Sequence, residues 1–281
     1  MAVNGRTIVD AQVHLWKAET PEWKWVPGRK PQLPEPFTIE KLVTLMDEAG
    51  VDRAVIVPPS WPGDRNDYGL EAAQRYPNRF VMGRIVVQDP KSAALLPKWK
   101  EQKGMVGVRL TFMREQSALL TSGSADWFWP EIAKYSLPVM FLAPGNIPKF
   151  APIAERHPNL PLIIDHMSLT AEIAQEGKIK EAIDEVVKLA KYPNVSVKLS
   201  SAPTYSLDPK YPWPEMNDAI KRCFDAYGPR RCYWGTDITN AFARSTYRQR
   251  VTHFTEELKF MSSEDLDWVM GKAILARLNW T

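Results

Sequence analysis

Eight short apolar runs, each separated from the next by a helical pattern, constrain the fold of this chain more than any other feature. The runs cover residues 7–14 (TIVDAQVH), 53–59 (RAVIVPP), 80–87 (FVMGRIVV), 105–112 (MVGVRLTF), 137–144 (LPVMFLAP), 160–166 (LPLIIDH), 195–201 (VSVKLSS) and 231–239 (RCYWGTDIT). Most are almost continuously apolar, as strands buried on both faces must be. The intervening stretches carry helix signals. TIEKLVTLMDEAG has Thr38 as its cap and Gly50 as its stop, and SAALLPKWKEQ is also read as helical. Repeated βα units in 281 residues predict an α/β chain folded as one (β/α)8 TIM barrel over residues 1–281. The rival, a doubly wound open sheet, would need a glycine-rich phosphate loop. The sequence contains neither GxGxxG nor GxxxxGK[ST].

Bulk properties narrow the function. With 44% hydrophobic and 25% charged residues, the chain can bury a large core. A formal charge of +3, without clustered Lys and Arg, argues against nucleic-acid binding. No apolar run reaches membrane-spanning length and the N-terminal residues lack a leader pattern, so no membrane partner is expected. The two cysteines, Cys223 and Cys232, form no CxxC pair, which fits buried thiols in a reducing, cytoplasmic setting. Oligomeric state is not legible, and a homo-oligomer stays open.

Many of the 11 Trp and 24 Pro crowd into residues 16–37 and 200–216. Pro stiffens a loop and Trp gives it apolar area to pack. These segments are expected as loops over the C-terminal face of the barrel, with Trp16, Trp23, Trp25, Tyr205 and Trp213 closing an aromatic-walled cavity.

In a barrel, chemistry gathers at the C-terminal ends of the strands. The first run ends on Gln12, His14 and Trp16, the sixth on His166, and the eighth on Asp237 followed by Asn240. Only two of the four histidines, His14 and His166, stand at such ends; His157 and His253 fall in helical segments. His14, His166 and Asp237 could supply three ligands to one Zn or Mn ion. Gln12 is a weak ligand, and Leu142 stands where the fifth strand would offer another. No metal or other cofactor is therefore the preferred reading. Arg84, Arg109 and Lys198 lie within runs and Arg114 follows one. A buried guanidinium is costly without an anion, so these residues, above all Arg109, are expected to bind a substrate carboxylate. The plainer alternative is an ion pair to a core Asp or Glu.

VDAQVHLW, GVRL, LIIDHMS, VKLSS and WGTD, in this order, resemble the strand signatures of the amidohydrolase superfamily. The closer likeness is to its amidohydrolase-2 branch, which holds pyrone-dicarboxylate and sugar-acid lactonases and metal-dependent decarboxylases of aromatic acids. The resemblance covers nearly the whole chain. It implies a barrel hydrolase, and its pyrone-dicarboxylate lactonase members imply a route without a metal. The departures are Gln12 where the first histidine of an HxH pair is usual, no histidine on the fifth strand, and Lys272 where the closing helix usually has Asn.

The mechanism expected from these residues is hydrolysis of a lactone or similarly activated carbonyl in a small, carboxylate-bearing, cyclic or aromatic-derived compound. Asp237, with its pKa raised by desolvation, would be the general base for water. His166 and His14 would hold the oxyanion, and the Gln12 amide N–H would donate to the same oxygen. Tyr205, Trp16 and Asn240 would line the substrate. The alternatives are a metal-dependent decarboxylase of an aromatic acid and a non-catalytic barrel that binds a small acid.

Overall fold

The computed structural model describes residues 5–77, 79–83, 87 and 89–280. Eight strands run in chain order: β1 (Val9–Val13), β2 (Arg53–Ile56), β3 (Phe80–Met82), β4 (Val108–Thr111), β5 (Val139–Leu142), β6 (Leu162–Ile164), β7 (Val195–Ser200) and β8 (Cys232–Gly235). Parallel ladders join β1 to β3 and β4 to β8 in sequence order. Two close approaches complete the ring. Between β8 and β1, the Asp237 N–H donates to the Gln12 carbonyl at 2.8 Å. Between β3 and β4, a Cβ on Gly83 would lie 2.1 Å from the Gly107 carbonyl oxygen, so only glycine lets these backbones meet. The result is the expected (β/α)8 barrel. Its strands are shorter than the apolar runs, because the flanking residues turn out of the ladder.

The helices are α1 (Ile39–Ala49), α2 (Asp67–Arg75), α3 (Phe128–Lys134), α4 (Ala151–Arg156), α5 (Ala171–Gln175), α6 (Ile179–Lys188), α7 (Ala202–Tyr205), α8 (Asn217–Tyr227), α9 (Tyr247–Thr252), α10 (Ser263–Asp267) and α11 (Ala273–Leu278). Helix α1 begins and ends where its signals predict. The Thr38 hydroxyl accepts from the Lys41 N–H, and Gly50 takes the left-handed conformation at φ 75°. Its Leu42 and Met46, with Ile183 and Val186 of α6 and Ile220 and Cys223 of α8, bury against the barrel. The segment read as a helix from SAALLPKWKEQ is instead a run of 3-10 turns, Pro90–Glu101. Pro97 sits inside it and cannot donate to an α-helical ladder. Among the described residues, no helix is long and apolar enough to cross a membrane. Both cysteines are buried and unpaired.

The chain leaves three adjacent strands through non-glycine residues in the left-handed region. These are His166, Met167 and Ser168 after β6 (each φ 54°), Ser201 after β7 (φ 66°) and Asp237 after β8 (φ 49°). Each costs about 1–3 kcal/mol and persists only where surrounding contacts over-determine it. The strain therefore lies at the strand ends that carry His166 and Asp237.

Candidate active site

Strand-end side chains from β1, β6 and β8 converge on one cavity of about 350 Å³, whose lining includes His14, His166, Asp237, Tyr205, Asn240 and Arg109. His14 Nε2 lies 3.2 Å from Asp237 Oδ1, and His166 Nε2 lies 3.8 Å from Asp237 Oδ2. His14 Nδ1 donates to the Val57 carbonyl at 2.6 Å, which fixes the ring. His166 Nδ1 meets Ser200 Oγ at 2.7 Å and Ser201 Oγ at 3.0 Å. The Ser201 hydroxyl spends its proton on Asp237 Oδ2 at 3.0 Å. Toward His166 the Ser201 oxygen can then only accept, so Nδ1 carries the hydrogen and Nε2 is bare when the ring is neutral.

The protonation states differ from the sequence expectation in one respect. Burial raises the Asp237 pKa as expected, but His166, His14 and the Ser201 hydroxyl outweigh it and hold the carboxyl well below its usual range. Desolvation was legible in the sequence, and the partners were not. Asp237 is thus an anion throughout the neutral range. Its Oδ1 is buried yet has no aligned hydrogen-bond donor, because the 3.2 Å contact with His14 is an ion-pair distance without hydrogen-bond geometry. The Gln12 amide nitrogen is likewise buried without an acceptor. An unclaimed acceptor and an unclaimed donor thus belong to two residues joined by the 2.8 Å backbone hydrogen bond across the β8–β1 seam. Asp237 lines the cavity and can offer Oδ1 to an attacking water, whereas Gln12, expected to donate to the oxyanion, is fully buried and does not line the cavity.

Burial pushes His166 down to about 4, against Asp237 and Asp165, which favour its charged form. Burial also takes His253 down to about 4. Both lie below the unfolded value near 6.5, so the unfolded chain takes up protons first as the pH falls. Stability should therefore decline between about pH 6.5 and pH 4, by about 2–3 kcal/mol per histidine. Urea unfolding midpoints at pH 7 and pH 4.5 check this: the lower pH should give the lower midpoint, and equal midpoints would contradict the burial of these rings.

The candidate substrate ligands divide. Arg109 lines the cavity and also bridges Asp165, with Nε 3.1 Å from Oδ2 and Nη1 donating to Thr111 Oγ1 at 2.5 Å. Arg109 thus makes the core ion pair and still reaches the cavity. Arg114 is exposed and lines, with Arg29 and Lys30, an outer cleft of about 660 Å³ that shares Arg109, Thr111, Met113 and Ser60 with the inner cavity. Lys198 does not reach the cavity. It is fully buried, 2.9 Å from Asp165 Oδ1 and donating to Gln12 Oε1 at 2.7 Å. Arg84 lies outside the described residues.

The aromatic wall differs from the expected lid. Tyr205 and Asn240 line the cavity as expected, but Trp16 does not. It is fully buried behind Trp61, ring against edge at 4.9 Å, and Trp61 faces the cavity in its place. Trp23 packs on Tyr68, and Trp213 is buried between Tyr211 and His253. These tryptophans hold their own loops against the barrel. The 16–37 segment still reaches the site through Gln32, whose side-chain oxygen accepts from the Thr239 hydroxyl.

The supporting shell was not visible in the sequence. Asp10 accepts from the N–H groups of Gln12 (2.9 Å) and Thr236 (2.8 Å), and from the Tyr247 hydroxyl (2.5 Å), across the β1–β8 seam. Arg250, only 3% exposed, donates to the carbonyls of Thr236, Asp237, Asn240 and Ala241 and to Ser245 Oγ at 2.6–3.1 Å. Every N–H of that guanidinium is used on the turn that carries Asp237. Tyr247 and Arg250 are one turn apart on α9, so one short helix fixes both sides of the seam.

Known proteins share this fold. A family model described as Amidohydrolase matches residues 9–275. The L-fucono-1,5-lactonase of Burkholderia ambifaria is 23% identical over 244 residues, covering 82% of this chain and 79% of that one. A crystal structure of a probable 2-pyrone-4,6-dicarboxylic acid hydrolase from Acinetobacter baumannii, with citric acid bound, superposes with a TM-score of 0.78 at 19% identity. It covers 98% of this chain and 100% of its own. An amidohydrolase from Burkholderia multivorans with bound zinc gives 0.80 at 16% identity, covering 97% and 99%.

Proposed function

The chain belongs to the amidohydrolase family, and on that premise we propose that it hydrolyses a lactone or similarly activated ester ring in a small, carboxylate-bearing substrate. The observation that carries this reading is the anionic Asp237, with its unclaimed Oδ1, set beside His14 and His166 at one cavity. A lactone carbonyl needs a donor for the oxygen that gains charge and a base for the water that attacks. Asp237 Oδ1 supplies the second, and Tyr205, whose hydroxyl burial keeps protonated, is a donor on the cavity wall for the first. His14 Nε2 sits beside Asp237 to take up charge as the water proton moves. The bare Nε2 of His166 can receive that proton and deliver it to the departing ring oxygen. The cavity volume suits a single ring with one or two substituents. The curated relative's name, a lactonase, agrees with this chemistry.

We propose further that the reaction needs no metal. Among the described residues, no group of three or more His, Cys, Asp and Glu side chains is arranged to hold a metal ion. The Gln12 oxygen, the only ligand atom that side chain could offer, is already taken by an ammonium group. A divalent ion placed there would face the Lys198 charge at close range, and β5 offers Leu142 rather than a ligand. The same points weigh against a metal-dependent decarboxylase. We place the enzyme in the cytoplasm on the buried, unpaired state of both cysteines.

A panel of small lactones followed by proton release tests the activity. Turnover is expected for at least one carboxylate-bearing lactone and should be unchanged after chelator dialysis. Activity lost with the chelator and restored by zinc would overturn the metal-free route. Arg109 should bind the substrate carboxylate. Arg109→Met is then expected to raise KM about 10- to 100-fold, the worth of one charge-assisted hydrogen-bonded contact, with a smaller change in kcat. An unchanged KM would remove Arg109 from the binding site.

A further inference from the structure

Ser201 stands between the two groups that handle protons, yet it lines no part of the cavity that they share. Its hydroxyl donates to Asp237 Oδ2 at 3.0 Å and lies 3.0 Å from His166 Nδ1, and only 1% of the residue is exposed. Ser201 sits in the left-handed region at φ 66°, and its two partners, His166 (φ 54°) and Asp237 (φ 49°), leave their strands in the same way. One hydroxyl thus joins the strained ends of β6, β7 and β8. An observed strain of this kind points to a function at the residue that bears it.

A hydroxyl has one proton to give. Besides Asp237, two acceptors compete for it: His166 Nδ1 and the phenol oxygen of Tyr205, which stands beside Ser201. A carboxylate is the stronger acceptor, so the proton goes to Asp237. The serine oxygen can then only accept from Nδ1, and a bare Nδ1 would face it at 3.0 Å with two lone pairs opposed. Ser200 Oγ is closer to Nδ1, at 2.7 Å, but a hydroxyl can donate to a bare nitrogen as well as accept from a protonated one, so it leaves the choice open. Asp237 pulls the other way, because its Oδ2 lies 3.8 Å from Nε2 and attracts hydrogen there. Ser201 is the contact that decides between the two nitrogens.

We propose that Ser201 is a positioning residue that sets the direction of proton transfer: by spending its own proton on Asp237 it places the His166 hydrogen on Nδ1 and keeps Nε2 bare. This rests on the hydrolytic reading above and deepens it. As the water oxygen bonds the lactone carbonyl carbon, one water proton passes by way of Asp237 Oδ1 to Nε2. The ring C–O bond then breaks, the ring oxygen takes that proton, and Nε2 is bare again. With hydrogen already on Nε2, the ring could not receive the water proton on this side.

Nitrogen-15 NMR of the imidazole rings tests the proposal without turnover. Burial takes His166 down to about 4, so its ring is neutral at pH 7 and its two nitrogens report which one is protonated. The ring is assigned by the loss of its signals in His166→Gln. In the wild type, Nδ1 should show the shift of a protonated nitrogen and Nε2 that of a bare one. Ser201→Gly keeps the left-handed turn without strain and should move the hydrogen onto Nε2, wholly or in part. Ser200→Ala removes the shorter contact and should leave the hydrogen on Nδ1. A wild-type ring protonated on Nε2, or a ring unaltered in folded Ser201→Gly, would overturn the proposal, as would a tautomer that follows Ser200 instead. If Ser201→Gly does not fold, Ser201→Ala takes its place, and the wild-type ring alone can still refute the assignment.

Kinetics supply the second measurement. On the lactone that the wild type hydrolyses, Ser201→Gly should lower kcat about 10- to 100-fold with KM within about 3-fold, because the loss falls on proton transfer and not on binding. A raised KM at unchanged kcat would show that Ser201 acts merely on the shape of the cavity. If the wild type hydrolyses no lactone, the hydrolytic reading fails, and the ring nitrogens still decide whether Ser201 sets the tautomer.

Discussion

Asp237→Asn should leave a folded protein that binds substrate with nearly the wild-type KM and turns it over about 10²–10⁴-fold more slowly. The substitution preserves shape and removes the charge. Asn keeps an oxygen that can accept from Ser201, so the 3.0 Å contact that orients the residue can survive. It cannot take a proton from water. The strain at residue 237 (φ 49°) should also be tolerated, because Asn enters the left-handed region more readily than most residues. Steady-state kinetics on the lactone that the wild type hydrolyses would check this. A variant within about 10-fold of wild-type kcat would place the base elsewhere, with His166 Nε2 the next candidate. Full binding in both proteins and turnover in neither would describe a barrel that binds small acids without reacting.

The second large effect is expected at a residue that touches neither substrate nor water. Arg250→Met should lower stability by about 3–5 kcal/mol, because it strands several buried carbonyls at once. It should also reduce kcat at temperatures where the variant stays folded, because the turn at Asp237 is no longer held. Burial pulls the Arg250 pKa down to about 10, so the guanidinium remains charged at neutral pH and its loss is a loss of charge-assisted donors. Urea unfolding at constant m-value measures the first effect, and kcat at low temperature the second. A loss under about 1 kcal/mol would mean that solvent can satisfy those carbonyls, and that the turn does not depend on Arg250.

The frame of this molecule was legible because strand and helix periodicities alternate without interruption, and few folds accommodate eight such repeats. The strand-end rule then brought His14, His166 and Asp237 together correctly from three distant parts of the chain. It missed Trp61, which follows β2 by the same logic, because attention went to loops dense in tryptophan. The tryptophans of those loops do not line the cavity, since composition says that Trp23 and Trp213 are buried but not against what. Lys198 was placed in a strand, but its partners depend on which neighbouring strands offer acceptors, and no local pattern encodes that. Asp10, Tyr247 and Arg250 were invisible for a related reason. Tyr247 meets the Asp10 carboxylate and Arg250 the carbonyls of the turn after β8, and a stretch such as TYRQRVTHF reads as an ordinary amphipathic helix until the ring closes. The sign of the Asp237 shift failed likewise, because burial can be guessed from a sequence and a hydroxyl aimed at a carboxylate cannot.

The most direct measurement is a crystal structure of Asp237→Asn with an intact lactone bound. The lactone should lie in the cavity with its carboxylate at Arg109 and a water between the carbonyl carbon and the side chain at position 237. A lactone bound away from position 237, or a metal ion held between His14 and His166, would contradict the account.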